Sequence, residues 1–359
     1  MHGRRADAWT RAALRPPRAH GAPLPPATLK AAPEDFHVEE QLSFEPSGTG
    51  PHWLLRVEKR TANTRWVASE IARLAGVATG DVGYAGLKDR HAIAVQWFSV
   101  PNLAGTAESW INVRTPEFKV LEARANTRKL KRGALSGNRF RIRLRNVMWS
   151  REQLDLKLAA LRAHGAPNYF GPQRFGREGY NLDRVAAWVQ GGVAPRGRTE
   201  RGFALSAARS LVFNAVLARR VEAGDWSQLG YGDLASLDGS GSHFFVTAVD
   251  EELRSRLNLF DIHPSGPLWG RGHPASQGQA LQHELAATQE LATVAELLSA
   301  EGLVQERRAL RCAIRELSSE HDASTLTLSF SLGRGQFATA VLREICELQG
   351  APELDGDED

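Results

Sequence analysis

Apolar positions recur along this chain with two periods, and each period marks a different kind of element. Trp53, Leu54, Leu55 and Val57 suggest a strand. Val67, Ile71 and Leu74 share one face of a helix that runs to Ala75, with Asn63 as its N-cap and Gly76 as its stop. The apolar run from Ala94 to Val100 reads as a buried strand. Arg139, Arg141, Arg143 and Arg145 alternate with Phe140, Ile142 and Leu144, the period of a half-buried strand with its cations on the open face. Leu154, Leu158 and Leu161 are spaced for a helix from Arg151 to His164, and the turn-rich Gly165-Ala166-Pro167-Asn168 follows as a break. A helix is predicted over Ser206 to Val221. A strand from Thr325 to Phe330 puts Leu326, Leu328 and Phe330 on one face, and a last helix carries Phe337, Val341, Ile345 and Leu348. Residues 1–29, rich in Arg, Ala and Pro with Pro16-Pro17 and Pro25-Pro26, read as a flexible extended arm. No internal repeat is visible.

With 359 residues, 42% hydrophobic and 24% charged, the chain has the composition of an ordinary globular protein and the length for about two domains. No apolar run approaches the roughly 20 residues needed to span a bilayer, so no membrane association is expected. Arg4, Arg5, Arg11 and Arg15 are not followed by an apolar stretch, which argues against a secretory signal. The two cysteines, Cys312 and Cys346, support neither a disulfide framework nor a cysteine zinc site. His243, His263 and His273 lack ligand spacing, so no metal is expected. A cytoplasmic monomer is the expectation.

Charge sharpens the picture. The tail 351–359 holds five acids and no cation, so the rest of the chain carries +9 rather than the overall +4; such a tail reads as solvated. From Ala123 to Trp149 there is no acid at all, and within that run the guanidiniums of Arg139, Arg141, Arg143 and Arg145 form a candidate stripe for an RNA backbone.

The most chemically suggestive segment, GYAGLKDRHAIAVQWF, lies between Gly83 and Phe98. Asp89 stands there between Lys88 and Arg90, on the loop that leads into the Ala94 strand. Flanking cations favour the ionised carboxylate, and ionised carboxylates act as nucleophiles or general bases. The same cations suit a polyanionic substrate. Neither a Walker loop nor a dinucleotide fingerprint occurs, so no nucleotide cofactor is expected. Asp238-Gly239-Ser240-Gly241-Ser242 reads as a structural turn, and Glu39-Glu40 as a solvated strand end.

This segment, with Gly86-Leu87-Lys88-Asp89-Arg90 and Gln96-Trp97-Phe98, resembles the signature of the TruD family of tRNA pseudouridine synthases. Four more blocks resemble that family in order: Ala32-Pro33-Glu34-Asp35-Phe36 with Val38-Glu39-Glu40, Ser136-Gly137-Asn138-Arg139-Phe140, Asn168-Tyr169-Phe170-Gly171-Pro172-Gln173-Arg174-Phe175-Gly176, and Phe330-Ser331-Leu332 with Arg334-Gly335-Gln336-Phe337-Ala338-Thr339. The resemblance implies an α+β fold: a pseudouridine synthase-type catalytic domain, with a central antiparallel or mixed sheet and helices, plus an inserted α/β domain. It implies boundaries at 30–163 with 312–350 for the catalytic domain and 164–311 for the insert, flanked by the arm 1–29 and the acidic tail 351–359. It implies isomerisation of uridine-13 in the D arm of tRNA, with tRNA-Glu as the expected substrate and no cofactor. Asp89 would be the catalyst. Lys30, Phe36, Lys88, Arg90, Asn138, Phe140 and Phe337 would bind the substrate, with Lys30 on phosphate or assisting Asp89. Attack at C1′, attack at C6, and a glycal route remain equally open. Two other classes compete: a catalytically silent binder of structured RNA, and a metal-dependent RNA hydrolase, which the absence of a clustered ligand set opposes.

Overall fold

The computed structural model describes residues 2–103 and 106–350, so the acidic tail expected at 351–359 lies outside the described residues. In chain order the first elements are α1 (His2–Leu14), β1 (Leu24–Leu29), β2 (Phe36–Leu42), β3 (His52–Arg60), α2 (Thr64–Ala75), β4 (Gly83–Tyr84), β5 (Ile93–Pro101), α3 (Ala107–Ile111), β6 (Phe118–Asn126), β7 (Leu135–Arg145) and α4 (Arg151–His164). A middle stretch follows: β8 (Ala166–Pro167), α5 (Pro172–Phe175), α6 (Tyr180–Gly191), α7 (Arg198–Ala223), β9 (Leu234–Leu237), β10 (His243–Phe245), α8 (Glu251–Asn258), β11 (Ile262–Leu268), α9 (Gly278–Glu290), α10 (Ala292–Ala300) and β12 (Glu306–Ala309). The chain closes with β13 (Arg311–Cys312), β14 (Arg315–Asp322), β15 (Thr325–Gly333), α11 (Ala338–Ile345) and β16 (Cys346–Gln349).

One mixed sheet dominates this α+β fold, with strand order β14-β15-β7-β2-β5-β3-β6; β1 joins β7 and β16 at one margin and β4 joins β5. Its strands come from both ends of the chain, on either side of the middle stretch. That stretch builds a separate four-stranded sheet, β10-β9-β11-β12, against α7 and its neighbours, and β8 pairs with β13 where the chain leaves and returns.

The local signals work as their chemistry requires. Asn63 Oδ1 accepts from Arg65 N–H at the start of α2, and Gly76 ends the helix in the left-handed conformation at φ 69°. Val67 and Ile71 are buried on the sheet, whereas Leu74 is exposed. Ser150 caps α4, and Leu154, Leu158 and Leu161 are buried as their spacing predicts.

Three segments differ from the sequence reading. Residues 1–29 are not an extended arm: Trp9 and Ala13 of α1 pack into the cluster built by α6 and α7, and β1 enters the large sheet. Pro25 and Pro26 are accommodated because the β1–β16 register shifts between Leu24 and Ala27, where their missing N–H groups break the ladder. Helix α7 begins at Arg198 rather than Ser206; its N-cap, Gly197, offers no side-chain signal. Helix α11 stops at Ile345, so the spacing of Phe337, Val341, Ile345 and Leu348 runs across a helix–strand junction, with Phe337 as the N-cap and Leu348 in β16.

Registry decides which side of the sheet holds the site. Lys59 is opposite Ala94, Ala94 opposite Val38, and Val38 opposite Phe140, so these four side chains share one face. Helix α2 covers that face over Leu55, Val57 and Phe98, while α4 and α11 cover it over Phe140, Ile142 and Leu144. The loop carrying Asp89 sits on this helical side.

Candidate active site

Asp89 is mounted on buried polar supports that rise from the sheet. The Lys59 ammonium donates to the carbonyls of Ala62 at 2.6 Å, Lys88 at 3.3 Å and Asp89 at 2.8 Å. Gln96 Nε2 donates to Gly86 O at 2.5 Å, and Thr64 Oγ1 accepts from Lys88 N–H while donating to Gln96 Oε1. Lys88 turns its side chain under the loop onto Glu40, at 2.5 Å, and both are buried. Trp97 N–H donates to the second Glu40 oxygen at 3.3 Å. Buried polar groups so completely partnered fix a loop in one conformation.

The carboxylate itself is held at both oxygens. Oδ1 accepts from His91 N–H at 2.9 Å, and Oδ2 is ion-paired with the Lys30 ammonium. Lys30 stands at φ 58°, in the left-handed region that a non-glycine residue adopts only where surrounding structure enforces it. Its ammonium also lies 4.5 Å above the Phe36 ring. The cation at Asp89 is therefore neither sequence neighbour: Lys88 is committed to Glu40, and Arg90 is exposed.

Phe36 meets Phe140 edge-on with ring centroids 6.1 Å apart, and Phe140 meets Phe330 at 5.5 Å. Asn138 is on the same face two residues before Phe140, directly opposite Glu40, and its Oδ1 is buried without a hydrogen-bond partner among the described residues. A buried amide oxygen left unpaired costs free energy, and a ligand N–H arriving beside Glu40 would recover it. Gly137 is required next to it, because a Cβ there would meet Leu332 O at 2.2 Å. Phe337 is half-buried at the start of α11 and packs against the α6–α7 cluster; no ring pairing with Phe36 or Phe140 is found among the described residues.

The arginine stripe is not part of this site. Arg139, Arg141, Arg143 and Arg145 project from the face of β7 opposite Phe140. Three of them already face carboxylates: Arg139 with Glu316 at 3.1 Å, Arg141 with Glu320 at 3.9 Å, and Arg145 with Asp35 at 2.8 Å. The acid-free run obtains its acids from β14 and from the turn just before β2.

Glu40, Lys59, Thr64 and Gln96 escaped the sequence reading as supports of the site. Glu40 in particular is not a solvated strand end: it lies on the covered face of β2. Only the alternation Phe36, Val38, Glu40 signalled its direction. Among the described residues no cluster of His, Cys, Asp or Glu could hold a metal ion, and no helix is long and apolar enough to cross a membrane.

The family model described as tRNA pseudouridine synthase D (TruD) matches residues 25–192 and 201–345. The chain is 48% identical over 335 residues to a tRNA pseudouridine synthase D of Nitrosococcus oceani, covering 92% of this chain and 93% of that one. It is 47% identical over 341 residues to one of Methylococcus capsulatus, covering 94% and 96%. In fold it is similar to the crystal structure of the Methanosarcina mazei protein given the same name, with a TM-score of 0.71 at 21% identity over 93% of this chain and 96% of that one.

Proposed function

The chain belongs to the tRNA pseudouridine synthase D family, and from that premise we propose that it isomerises uridine-13 in the D arm of tRNA, tRNA-Glu among its substrates, with Asp89 as the essential carboxylate. The observation that carries this reading is the Asp89 carboxylate held by Lys30 and His91 N–H on the same side of the sheet as the unpartnered Oδ1 of Asn138.

Pseudouridine formation detaches uracil from C1′, turns it, and rejoins it through C5. Bonds broken and formed nearly balance, so the reaction consumes no nucleotide or redox equivalent. A uridine within a folded arm must first leave its stack to reach a protein group. Phe36 and Phe140 then offer apolar surface to the base, and Asn138 Oδ1 accepts from a base N–H. Lys30 keeps the carboxylate oriented before substrate arrives. The carboxylate then attacks C1′ or C6, or removes the C2′ proton, and three routes share this one requirement. Lys88 and Glu40 act beneath the loop as positioning residues.

The stretch 164–311, with its own sheet and its own apolar cluster, fits the role of the inserted domain, and 30–163 with 312–350 that of the catalytic one. Tritium release from tRNA labelled at uridine C5, measured in EDTA, tests the reading. Wild type should release tritium and Asp89→Ala should not, while still binding tRNA. Release from both proteins removes Asp89 as catalyst. Tight binding without release from either would favour the silent RNA binder.

A further inference from the structure

The block from Asn168 to Gly176 has no part in the chemistry above, yet it builds an unusual charge cluster. The Phe170 ring carries two guanidiniums, Arg308 at 4.1 Å and Arg174 at 5.1 Å from its centroid. Every hydrogen-bond acceptor these two cations have among the described residues is neutral. Arg308 Nη2 donates to Asn168 Oδ1 at 2.7 Å and to Gly335 O at 2.9 Å, while Arg174 Nη1 donates to Ser206 Oγ at 2.7 Å. Arg308 Nε is buried with no acceptor among the described residues.

Most other sequestered arginines are treated differently; Arg311 is the exception, with only His263 Nδ1, Leu257 O and Ile262 O as acceptors among the described residues. Arg220 holds Asp225 and Asp233, Arg307 holds Glu284, Arg209 holds Glu306, and Arg343 holds Glu344. Withdrawing a guanidinium from water without an anion is costly, and a second one beside it adds repulsion. Burial foremost, with repulsion from Arg174 in the same direction, pushes Arg308 down to about 10. A brace between Asn168 and Gly335 needs one donor group and gains nothing from the second cation.

The location is informative as well. Gly335 is two residues before Phe337, on the loop that follows Leu332, and Leu332 is opposite Asn138. Arg308, from the middle stretch, thus meets the large sheet just beyond the end of β15 that lies opposite Asn138.

We propose that Arg174 and Arg308, stacked on Phe170, form a clamp for a backbone phosphate of the substrate RNA beside the target nucleotide. The inference rests on the function proposed above for its substrate. Phe170 holds both guanidiniums near its ring, so they are kept together without the entropy cost of free surface cations. A phosphodiester would supply the missing anion and an acceptor for their N–H groups.

Salt-dependent binding of labelled tRNA tests the clamp. Arg174→Gln and Arg308→Gln should each weaken binding about tenfold and cut the slope of log K against log salt by about 0.7–0.9. Arg308→Lys, which keeps the charge and loses the fork, should retain the wild-type slope. Folded Gln variants with an unchanged slope would make both arginines internal braces and overturn the proposal. Should Arg308→Gln fail to fold, Arg174→Gln decides, since the one hydrogen bond of its side chain among the described residues is to Ser206. The outcome is separable from the functional reading: wild type that releases no tritium refutes the reaction, whereas these slopes report the phosphate contact alone.

Discussion

Lys30 and Asp89, separated by 59 positions in the chain, form an ion pair whose side chains are only 5% and 18% exposed. The pair joins the residue that follows β1 to the signature loop, and gives the carboxylate a cation that its sequence neighbours do not supply. Lys30→Met should therefore lower the single-turnover rate of pseudouridine formation about 100-fold, a loss typical of removing one charged group at a reacting centre. A change of less than threefold would reduce Lys30 to a packing residue.

Glu40 and Lys88 are a buried pair with a structural task. Glu40→Gln leaves the Lys88 ammonium buried without its counterion and should cost about 3 kcal/mol in urea unfolding. Combining it with Lys88→Met should recover part of that stability but not the activity, because the loop beneath Asp89 loses its anchor. Equal stability of wild type and Glu40→Gln would mean that the loop is held by Lys59 and Gln96 alone.

The stripe on β7 should be silent in RNA binding. Neutralising Arg139 and Arg141 together removes two exposed ion pairs, each worth at most about 1 kcal/mol, on the sheet face away from Asp89. The slope of tRNA affinity against salt should match wild type. A slope reduced by about 0.7–0.9 per residue would instead place RNA across that face.

His263 should make the fold acid-sensitive. Its Nδ1 accepts from Arg311 Nε at 3.0 Å and its Nε2 donates to Asp238 Oδ1 at 2.9 Å, while Arg315 holds the other Asp238 oxygen at 2.6 Å. Only the neutral ring satisfies both bonds. Burial foremost, then Arg311 and Arg315, hold His263 below its ordinary 6.5, against the upward pull of Asp238. The unfolded chain thus binds the proton more readily, so this contribution is complete above about pH 6.5 and is lost as pH falls below it. His20, also held down by burial, adds a contribution of the same sign. The melting temperature should drop between about pH 7 and 5, and less steeply in His263→Gln; identical profiles would remove His263 from the account.

Much of the local structure was legible because its determinants are local. Asn63 and Gly76 bound α2, Ser150 and the three leucines specify α4, and Leu326, Leu328 and Phe330 are buried on one face of β15. The ordered blocks around Asp89, Asn138 and Phe170 pointed to the family. What no local pattern contained was the partner of each charged group. Alternation in β7 shows that the arginines share a face, but only the packing of α4 and α11 decides that this face is the one turned away from Asp89. The same holds for Glu40, whose direction follows from its strand and whose burial follows from α2, Lys88 and Trp97. Strand β1, with two prolines, has weak propensity of its own and forms against β16 and β7, while α1 is rich in helix-forming Ala and Arg but finds its docking surface only on α6 and α7. By itself, then, the sequence determined which residues lie side by side within an element. Tertiary structure alone decided which charges meet across elements, because ion pairs such as Lys30–Asp89 depend on strand registry, which no single segment encodes.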